Sequence, residues 1–195
     1  MWHMTHRYLV AIGGNLPMDG ASVGENMQSA IAEVGRRTVR IVAVSRLFRS
    51  PAFPPGSGPD FVNGAFALED DRPPEEILSL LHDVERSHGR ERRVRWGPRT
   101  LDLDLIAAGA YVVPDVATWR HWQTLPQARQ STESPASLIL PHPRLQDRAF
   151  VLVPLMDIAP DWRHPVTGLT VAEMHAELTG EARGSVVPLP DPACQ

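Results

Sequence analysis

Apolar and polar positions repeat along the first half of the chain with two different periods. Short apolar runs rich in β-branched and aromatic residues predict four strands, at residues 7–12, 38–48, 61–68 and 100–106. Two helices are predicted between them, the first at the capping box of Ser22 and Glu25 and the second at Pro73-Pro74. The order β-α-β-β-α-β is that of a ferredoxin-like fold. We therefore predict an α+β domain whose antiparallel sheet carries helices on one face and is followed by a C-terminal extension.

Beyond the fourth strand the pattern is less regular. Residues 107–137 form an insertion, in which a short helix carries Trp119 and Trp122 three positions apart. A proline-rich turn, an apolar helix or strand and a final capped helix follow. We predict one domain over residues 1–195, with a tail from about residue 183.

Composition and charge narrow the class of protein. Of the 195 residues 43% are apolar and 22% are charged, as in ordinary soluble globular proteins. A net charge of -4 argues against a general nucleic-acid or membrane-surface binder. Cys194 is the single cysteine, which excludes a disulfide framework. Because no apolar run has the length of a membrane span and no signal peptide is recognisable, we expect a cytoplasmic location.

The stretch RRVRWGPRTLDLDLI (92–106) ends in two carboxylates that share one side of a predicted strand. Asp102 and Asp104 would lie about 6.5–7 Å apart at their Cα atoms. Carboxylates placed in this way can hold one or two divalent cations, and Mg²⁺ prefers such oxygens together with water and phosphate. The alternative is a strand whose aspartates only meet water.

A run of positive charge precedes the two aspartates. Six arginines and one acid, Glu91, lie in the fourteen residues from Arg86 to Arg99. Guanidinium groups bind phosphate oxygens in a bidentate manner. A solvated surface is the ordinary interpretation of such a run, but its position next to the aspartates favours a magnesium–nucleotide site.

Two further clusters could contribute to a site. Phe61 and Asn63 share a face, as an aromatic wall and an amide beside a heterocycle would, although the spacing alone favours a core phenylalanine and a turn-capping asparagine. His142 stands between two prolines, near Arg148 and Phe150, which indicates a functional side chain. The spacing of the other histidines does not predict a zinc site.

Three strings resemble the signatures of the 6-hydroxymethyl-7,8-dihydropterin pyrophosphokinases, enzymes of folate biosynthesis: SPAFPPGSGPDFVNGA (50–65), RWGPRTLDLD (95–104) and LPHPRLQDRAF (140–150). The opening AIGGNL is also similar, and the likeness runs from about Tyr8 to Trp162. The resemblance implies the ferredoxin-like α+β fold of that family. It also implies its reaction (EC 2.7.6.3), in which pyrophosphate passes from ATP to the hydroxymethyl group of the pterin and AMP is released.

The resemblance further implies roles for the residues at matching positions. Asp102 and Asp104 would hold two Mg²⁺ ions and form the catalytic set with Arg92 and Arg99. The ATP site would comprise Glu85, Arg90, Arg92, Arg95, Trp96, Arg99, Leu105, Ile139, His142 and Arg148. The pterin site would comprise Ser50, Pro51, Phe53, Phe61, Asn63, Trp96, Asp102 and Phe150.

The chain departs from the family pattern at a few positions. Gly14 stands where many members have Ser, Ser50 where many have Thr, and Phe61 where Tyr is common. The segment between Asp104 and His142 is longer than in compact members.

Two other functions stay open at this point. Another Mg-dependent phosphoryl or nucleotidyl transferase would release ADP or pyrophosphate in place of AMP. An RNA-binding module of the same topology would need paired aromatic residues on its central strands, which YLVAI (8–12) lacks. We expect ATP and a reduced pterin as small-molecule partners, neither nucleic acid nor a membrane, and favour a monomer.

Overall fold

The computed structural model describes residues 5–52, 56, 58–89, 99–126, 129 and 133–190. The strands are β1 (His6–Gly14), β2 (Arg40–Val44), β3 (Phe48–Ser50), β4 (Phe61–Asp70), β5 (Asp102–Ala108) and β6 (Val187–Pro188). The helices are α1 (Val23–Arg37), α2 (Pro74–Ser87), α3 (Val116–Gln123), α4 (Ala149–Ile158), α5 (Val171–Glu177) and α6 (Gly180–Gly184), with a 3-10 turn at Leu145–Asp147 before α4. The chain is therefore a mixed α/β structure with an antiparallel sheet.

The sheet is centred on β1 and β4, which pair with each other along their whole lengths. β5 pairs with the other edge of β1, and β2 and β3 pair with different parts of the other edge of β4, all antiparallel. The second strand predicted over 38–48 is thus two strands. Between them the Ser45 hydroxyl accepts the Ala65 backbone N–H at 2.8 Å, so a side chain takes a ladder position before pairing resumes at Phe48.

One face of the sheet is covered by α1 and α2. Tyr8, Val10 and Ile12 of β1 point to this face and pack with apolar positions of both helices, including Met27 and Leu81. Both halves of the predicted capping box at Ser22 and Glu25 are formed, which satisfies backbone N–H groups at the start of α1. The amphipathic pattern of the two helices is the reason why they bury this face.

The opposite face is covered by α4 and α5, so the prediction of helices on one face describes only α1 and α2. Sheet residues on this side are small, such as Ala11, Ala65 and Ala67, and they pack against the apolar α4. The apolar stretch after the proline-rich turn, for which the sequence pattern allowed either a helix or a strand, is helical. Small side chains on the sheet let the helix approach closely, which a pattern read along one strand does not reveal.

The insertion and the C-terminal segment both attach to the sheet. β5 extends into the predicted insertion as far as Ala108, and α3 is the predicted helix that carries both tryptophans. The Trp119 indole is buried and donates to the Pro141 carbonyl at 2.7 Å. Residues 187–188, beyond the start of the predicted tail, pair with β3. None of the helices in the described ranges has both the length and the apolar character of a membrane span.

Candidate active site

The two aspartates of β5 lie on the sheet face that α4 covers, the face of Ala11. They alternate with Leu101, Leu103 and Leu105, which are buried on the α1 and α2 side. In register, Asp102 stands opposite Gly13 of β1, and Asp104 opposite Ala11. These neighbours are the smallest available residues, so the space beside both carboxylates is not filled by side chains of β1.

The same row of the sheet continues to the second candidate cluster. Gly13 is opposite Asp102 on one side and opposite Asn63 of β4 on the other. Since neighbouring strands are about 4.8 Å apart, Asp102 and Asn63 lie about 10 Å apart across the sheet. A Cβ atom at Gly13 would come within 3.3 Å of Asn63 Oδ1. The sheet therefore brings the carboxylate pair and the Phe61–Asn63 pair to one face.

Each carboxylate has an arginine partner. The Arg99 guanidinium pairs with the Asp102 carboxylate, and Arg148 Nη1 lies 3.5 Å from Asp104 Oδ2. Arg148 immediately precedes α4, and its guanidinium carbon lies 5.7 Å from the centre of the Phe150 ring. Carboxylates and guanidinium groups are thus paired at the start of β5. When metal ions and phosphates bind, the carboxylates can pair with the metal and the guanidinium groups with the phosphates.

Asn63 is held by a neighbouring strand. Its Nδ2 donates to the Ser50 hydroxyl at 2.9 Å, and both side chains are buried. Asn63 therefore belongs to a strand and caps no turn, so the interpretation that its spacing favoured is wrong. Phe61 is half-buried opposite Ser50, and Phe150 is 39% exposed, so both rings keep accessible surface.

His142 is tied to β5 by its backbone, because its N–H donates to the Ile106 carbonyl at 2.8 Å. Its Nδ1 accepts the Arg144 backbone N–H at 3.1 Å, which leaves the proton on Nε2. Burial of the imidazole, followed by the positive charge of Arg148, lowers the pKa of His142 to about 3. The side chain is therefore neutral at physiological pH and offers an Nε2–H donor.

Comparison with known proteins shows to which family the chain belongs. The family model described as 7,8-dihydro-6-hydroxymethylpterin-pyrophosphokinase matches residues 9–160, which is most of the chain. The chain belongs to this pyrophosphokinase family. The family indicated by the sequence motifs, and with it the enzyme class, is confirmed.

Individual relatives support the same conclusion. A 2-amino-4-hydroxy-6-hydroxymethyldihydropteridine pyrophosphokinase from Synechocystis sp. is 38% identical over 184 residues, which cover 94% of this chain and 82% of the relative. The enzyme of that name from Pseudomonas aeruginosa is 39% identical over 163 residues, covering 83% of this chain and 86% of the relative. The crystal structure of wild-type Plasmodium falciparum HPPK-DHPS has a TM-score of 0.63 at 12% identity and covers 89% of this chain. This chain spans 41% of that longer one, and the likeness shows the fold alone.

Several residues for which the resemblance to the pyrophosphokinases implies an ATP contact are buried in the structure. Glu85 is 1% exposed, and its Oε1 accepts the Leu103 backbone N–H at 2.7 Å. Because Leu103 lies between the two aspartates, Glu85 fixes the backbone that carries them. Leu105 packs in the core, and Ile139 is buried beside the Val113–Leu140 bridge. Arg90, Arg92, Arg95, Trp96 and Phe53 lie outside the described residues.

Asn15 is a buried residue next to the candidate site, and the sequence analysis did not single it out. Its Oδ1 accepts the Arg99 backbone N–H at 2.8 Å, and its own N–H donates to the Arg99 carbonyl at 2.9 Å. Its Nδ2 donates to the Pro59 carbonyl at 3.1 Å. One buried amide therefore joins the loop before β4 to the residue that pairs with Asp102. A polar residue directly after Gly13-Gly14 is the signal that could have drawn attention to it.

The donor set at the aspartates fits magnesium. Among the described residues, no group of three or more His, Cys, Asp or Glu side chains gathers into a metal site. Two carboxylates alone suit a hard cation that keeps water and phosphate oxygens in its coordination shell, as Mg²⁺ does. This is the donor set that nucleotide binding would complete.

Proposed function

We propose that the chain transfers a pyrophosphoryl group from ATP to 6-hydroxymethyl-7,8-dihydropterin at the sheet face around Asp102 and Asp104. The products are the pterin diphosphate and AMP, as the family membership supports. The observation that supports the proposal most strongly is the row Asp102–Gly13–Asn63, in which a carboxylate suited to a metal and an amide suited to a heterocycle lie about 10 Å apart on one face of the sheet. The reaction requires that a pterin bound at the amide can reach the phosphates held near the carboxylates.

We propose that Asp102 and Asp104 would hold two Mg²⁺ ions. Bound there, Mg²⁺ would neutralise phosphate charge and lower the pKa of the pterin hydroxyl. Phosphoryl-type transfer depends mainly on alignment and charge neutralisation. Glu85, through the Leu103 amide, keeps the backbone between the two carboxylates in place.

The phosphates of ATP would be bound by the basic groups around the aspartates. Arg99 and Arg148 already face this point, and guanidinium donors match phosphate oxygens. His142, neutral with its proton on Nε2, donates a hydrogen bond without adding charge. Arg90, Arg92, Arg95 and Trp96 belong to this proposed set by the resemblance alone.

The pterin would lie on the β4 side of the row. The rings of Phe61 and Phe150 offer flat apolar surfaces, and aromatic faces suit a planar heterocycle. The Asn63 amide, oriented by Ser50, would bind the edge of the ring. Pro51, Phe53, Trp96 and the Asp102 side chain belong to the proposed pterin set by the resemblance alone.

We infer a ferredoxin-like topology, because β5, β1, β4 and the β2–β3 pair adopt the order that the four-stranded fold requires. A monomer, a cytoplasmic location and ATP with a reduced pterin as the partners remain part of the proposal.

The products of one reaction test the proposed function. Purified protein is incubated with ATP, Mg²⁺ and the hydroxymethyl pterin, and nucleotides are separated by chromatography. We expect AMP and pterin diphosphate in equal amounts, both dependent on the pterin. ADP would favour an ordinary kinase, free pyrophosphate would favour a nucleotidyl transferase, and absence of pterin-dependent turnover would refute the substrate.

A further inference from the structure

A buried amide on α1 joins two parts of the chain that carry site residues. Asn26 is 4% exposed, in a helix whose other inward positions are apolar. Its Nδ2 donates to the Thr100 carbonyl at 3.1 Å, and its Oδ1 lies 2.6 Å from His88 Nδ1. Because the Nδ2 group is the donor to Thr100, the His88 ring nitrogen must be the donor to Oδ1. Both ends of the amide are therefore used.

The two partners of Asn26 also bind each other. The Thr100 hydroxyl donates to the His88 carbonyl at 2.9 Å, so the three residues close a ring of hydrogen bonds. His88 follows the end of α2, the helix that carries Glu85, and Thr100 lies two residues before Asp102. His88 Nε2 lies 3.3 Å from Glu33 Oε2, a second contact with α1. We call Asn26, His88 and Thr100 the α1 clamp.

The α1 clamp requires a close approach of backbones. A Cβ atom at Gly14 would come within 2.6 Å of the Thr100 carbonyl oxygen, the atom that accepts the Asn26 hydrogen bond. A side chain at residue 14 would therefore displace that backbone. In this chain the missing side chain of Gly14 leaves room for the Thr100 carbonyl oxygen, and the Asn26 amide binds that same oxygen.

We propose that Asn26 is a positioning residue for the transfer reaction, acting through Thr100 on Arg99 and Asp102. The inference rests on the proposed function. Asn26 belongs to α1, which supplies no residue of the proposed substrate site, so it acts through its partners. A buried amide is unfavourable unless its hydrogen bonds are made, and an apolar residue would suit the α1 core better. Misplacement of reacting groups by about 1 Å can lower a rate by roughly 100-fold, which gives such an amide a functional reason.

The test compares Asn26→Ala with Gln28→Ala, an exposed position on the same helix. We expect Asn26→Ala to lower kcat by about 10- to 100-fold and to raise the Mg²⁺ concentration for half-maximal turnover, with the KM for pterin unchanged. In a binding measurement without turnover, Mn²⁺ in the presence of an inert ATP analogue should bind more weakly to Asn26→Ala. Gln28→Ala should match the unsubstituted protein in kcat, in the Mg²⁺ requirement, in the KM for pterin and in Mn²⁺ binding.

A second variant keeps the test decisive if Asn26→Ala does not fold. Thr100→Val leaves Asn26 intact but removes the hydroxyl that donates to the His88 carbonyl, and it should also lower kcat and Mn²⁺ affinity. A lower unfolding temperature with normal kcat and Mn²⁺ binding in the folded variants would overturn the positioning role. If the unsubstituted protein itself made no pterin-dependent AMP, the proposed function would fail, and weakened Mn²⁺ binding would still report on the clamp.

Discussion

The two halves of the candidate site differ in what holds their side chains in place. On the half proposed to bind the pterin, Asn63 is fixed by a neutral hydrogen bond to Ser50 within the sheet. On the half proposed to bind the phosphates, Asp102 and Asp104 are paired with the cations of Arg99 and Arg148. The neutral half is already organised for a ligand, whereas the charged half has to exchange partners when metal and phosphates bind. Substitutions in the two halves should therefore affect different substrates.

The largest effect is expected from the carboxylates. Asp102→Asn or Asp104→Asn should lower kcat by about 1,000-fold or more, because the charge that would bind the metal is removed. Both side chains lie at the partly exposed end of the strand, so the unfolding temperature should change by no more than about 4 °C. Asp71→Asn, an exposed aspartate before α2, is the control. Normal Mg²⁺-dependent turnover in both site variants would exclude the metal assignment.

An arginine of the charged half should act on ATP. Arg99→Ala removes a charge-assisted contact to phosphate worth about 1.5–3 kcal/mol, so ATP affinity should fall by roughly 10- to 150-fold. The KM for pterin should stay within about two-fold, and Arg120→Ala, exposed on α3, should change neither value. A loss confined to pterin affinity would reverse the assignment of the two halves.

An amide of the neutral half should act on the pterin, with a smaller effect. Asn63→Ala removes a hydrogen bond worth about 0.5–1.5 kcal/mol, which corresponds to a roughly 2- to 13-fold higher KM for pterin. Ser50→Ala keeps the amide but removes the group that orients it, and its effect should be weaker in the same direction. Steady-state kinetics with each substrate varied in turn provide the measurement. A changed KM for ATP with an unchanged KM for pterin would argue against the pocket.

The effect expected to be smallest at neutral pH is a dependence of stability on pH, which grows only as the pH is lowered. Burial lowers the pKa of His142 to about 3, whereas in an unfolded chain its pKa is about 6.5. Below about pH 6.5 the unfolded state therefore binds one more proton at this residue, and stability falls as the pH is lowered toward about 3. Burial also lowers the pKa of His164, to about 4, so it contributes in the same direction.

Replacing His142 isolates its share of this dependence. In His142→Gln the slope of unfolding free energy against pH should become shallower by about 1.2 kcal/mol per pH unit between about pH 5 and 6. Denaturant titrations at several pH values measure it. An unchanged slope would mean that His142 binds its proton as readily in the folded protein as in the unfolded chain.

Patterns within one strand or helix were sufficient for much of this account. The alternation at Asp102 and Asp104 and the capping box at Ser22 depend on neighbours in sequence, and both are present as predicted. The division of the second strand depends on the Ser45 hydroxyl reaching Ala65, and the role of Glu85 depends on its bond to Leu103. These contacts join residues 18 and 20 positions apart, so a pattern of neighbouring residues does not predict them.

The comparison of the two halves is tested most directly by titrating Asp104→Asn with each ligand in a calorimeter. The pterin and an inert ATP analogue with Mg²⁺ are each added at a saturating concentration of the other. We expect the variant to bind the pterin within about two-fold of the unsubstituted protein, because Asn63 and Ser50 are unchanged, and to lose at least about ten-fold in affinity for the Mg²⁺–nucleotide. Loss of pterin binding with unchanged nucleotide binding would contradict the division of the site into a neutral and a charged half.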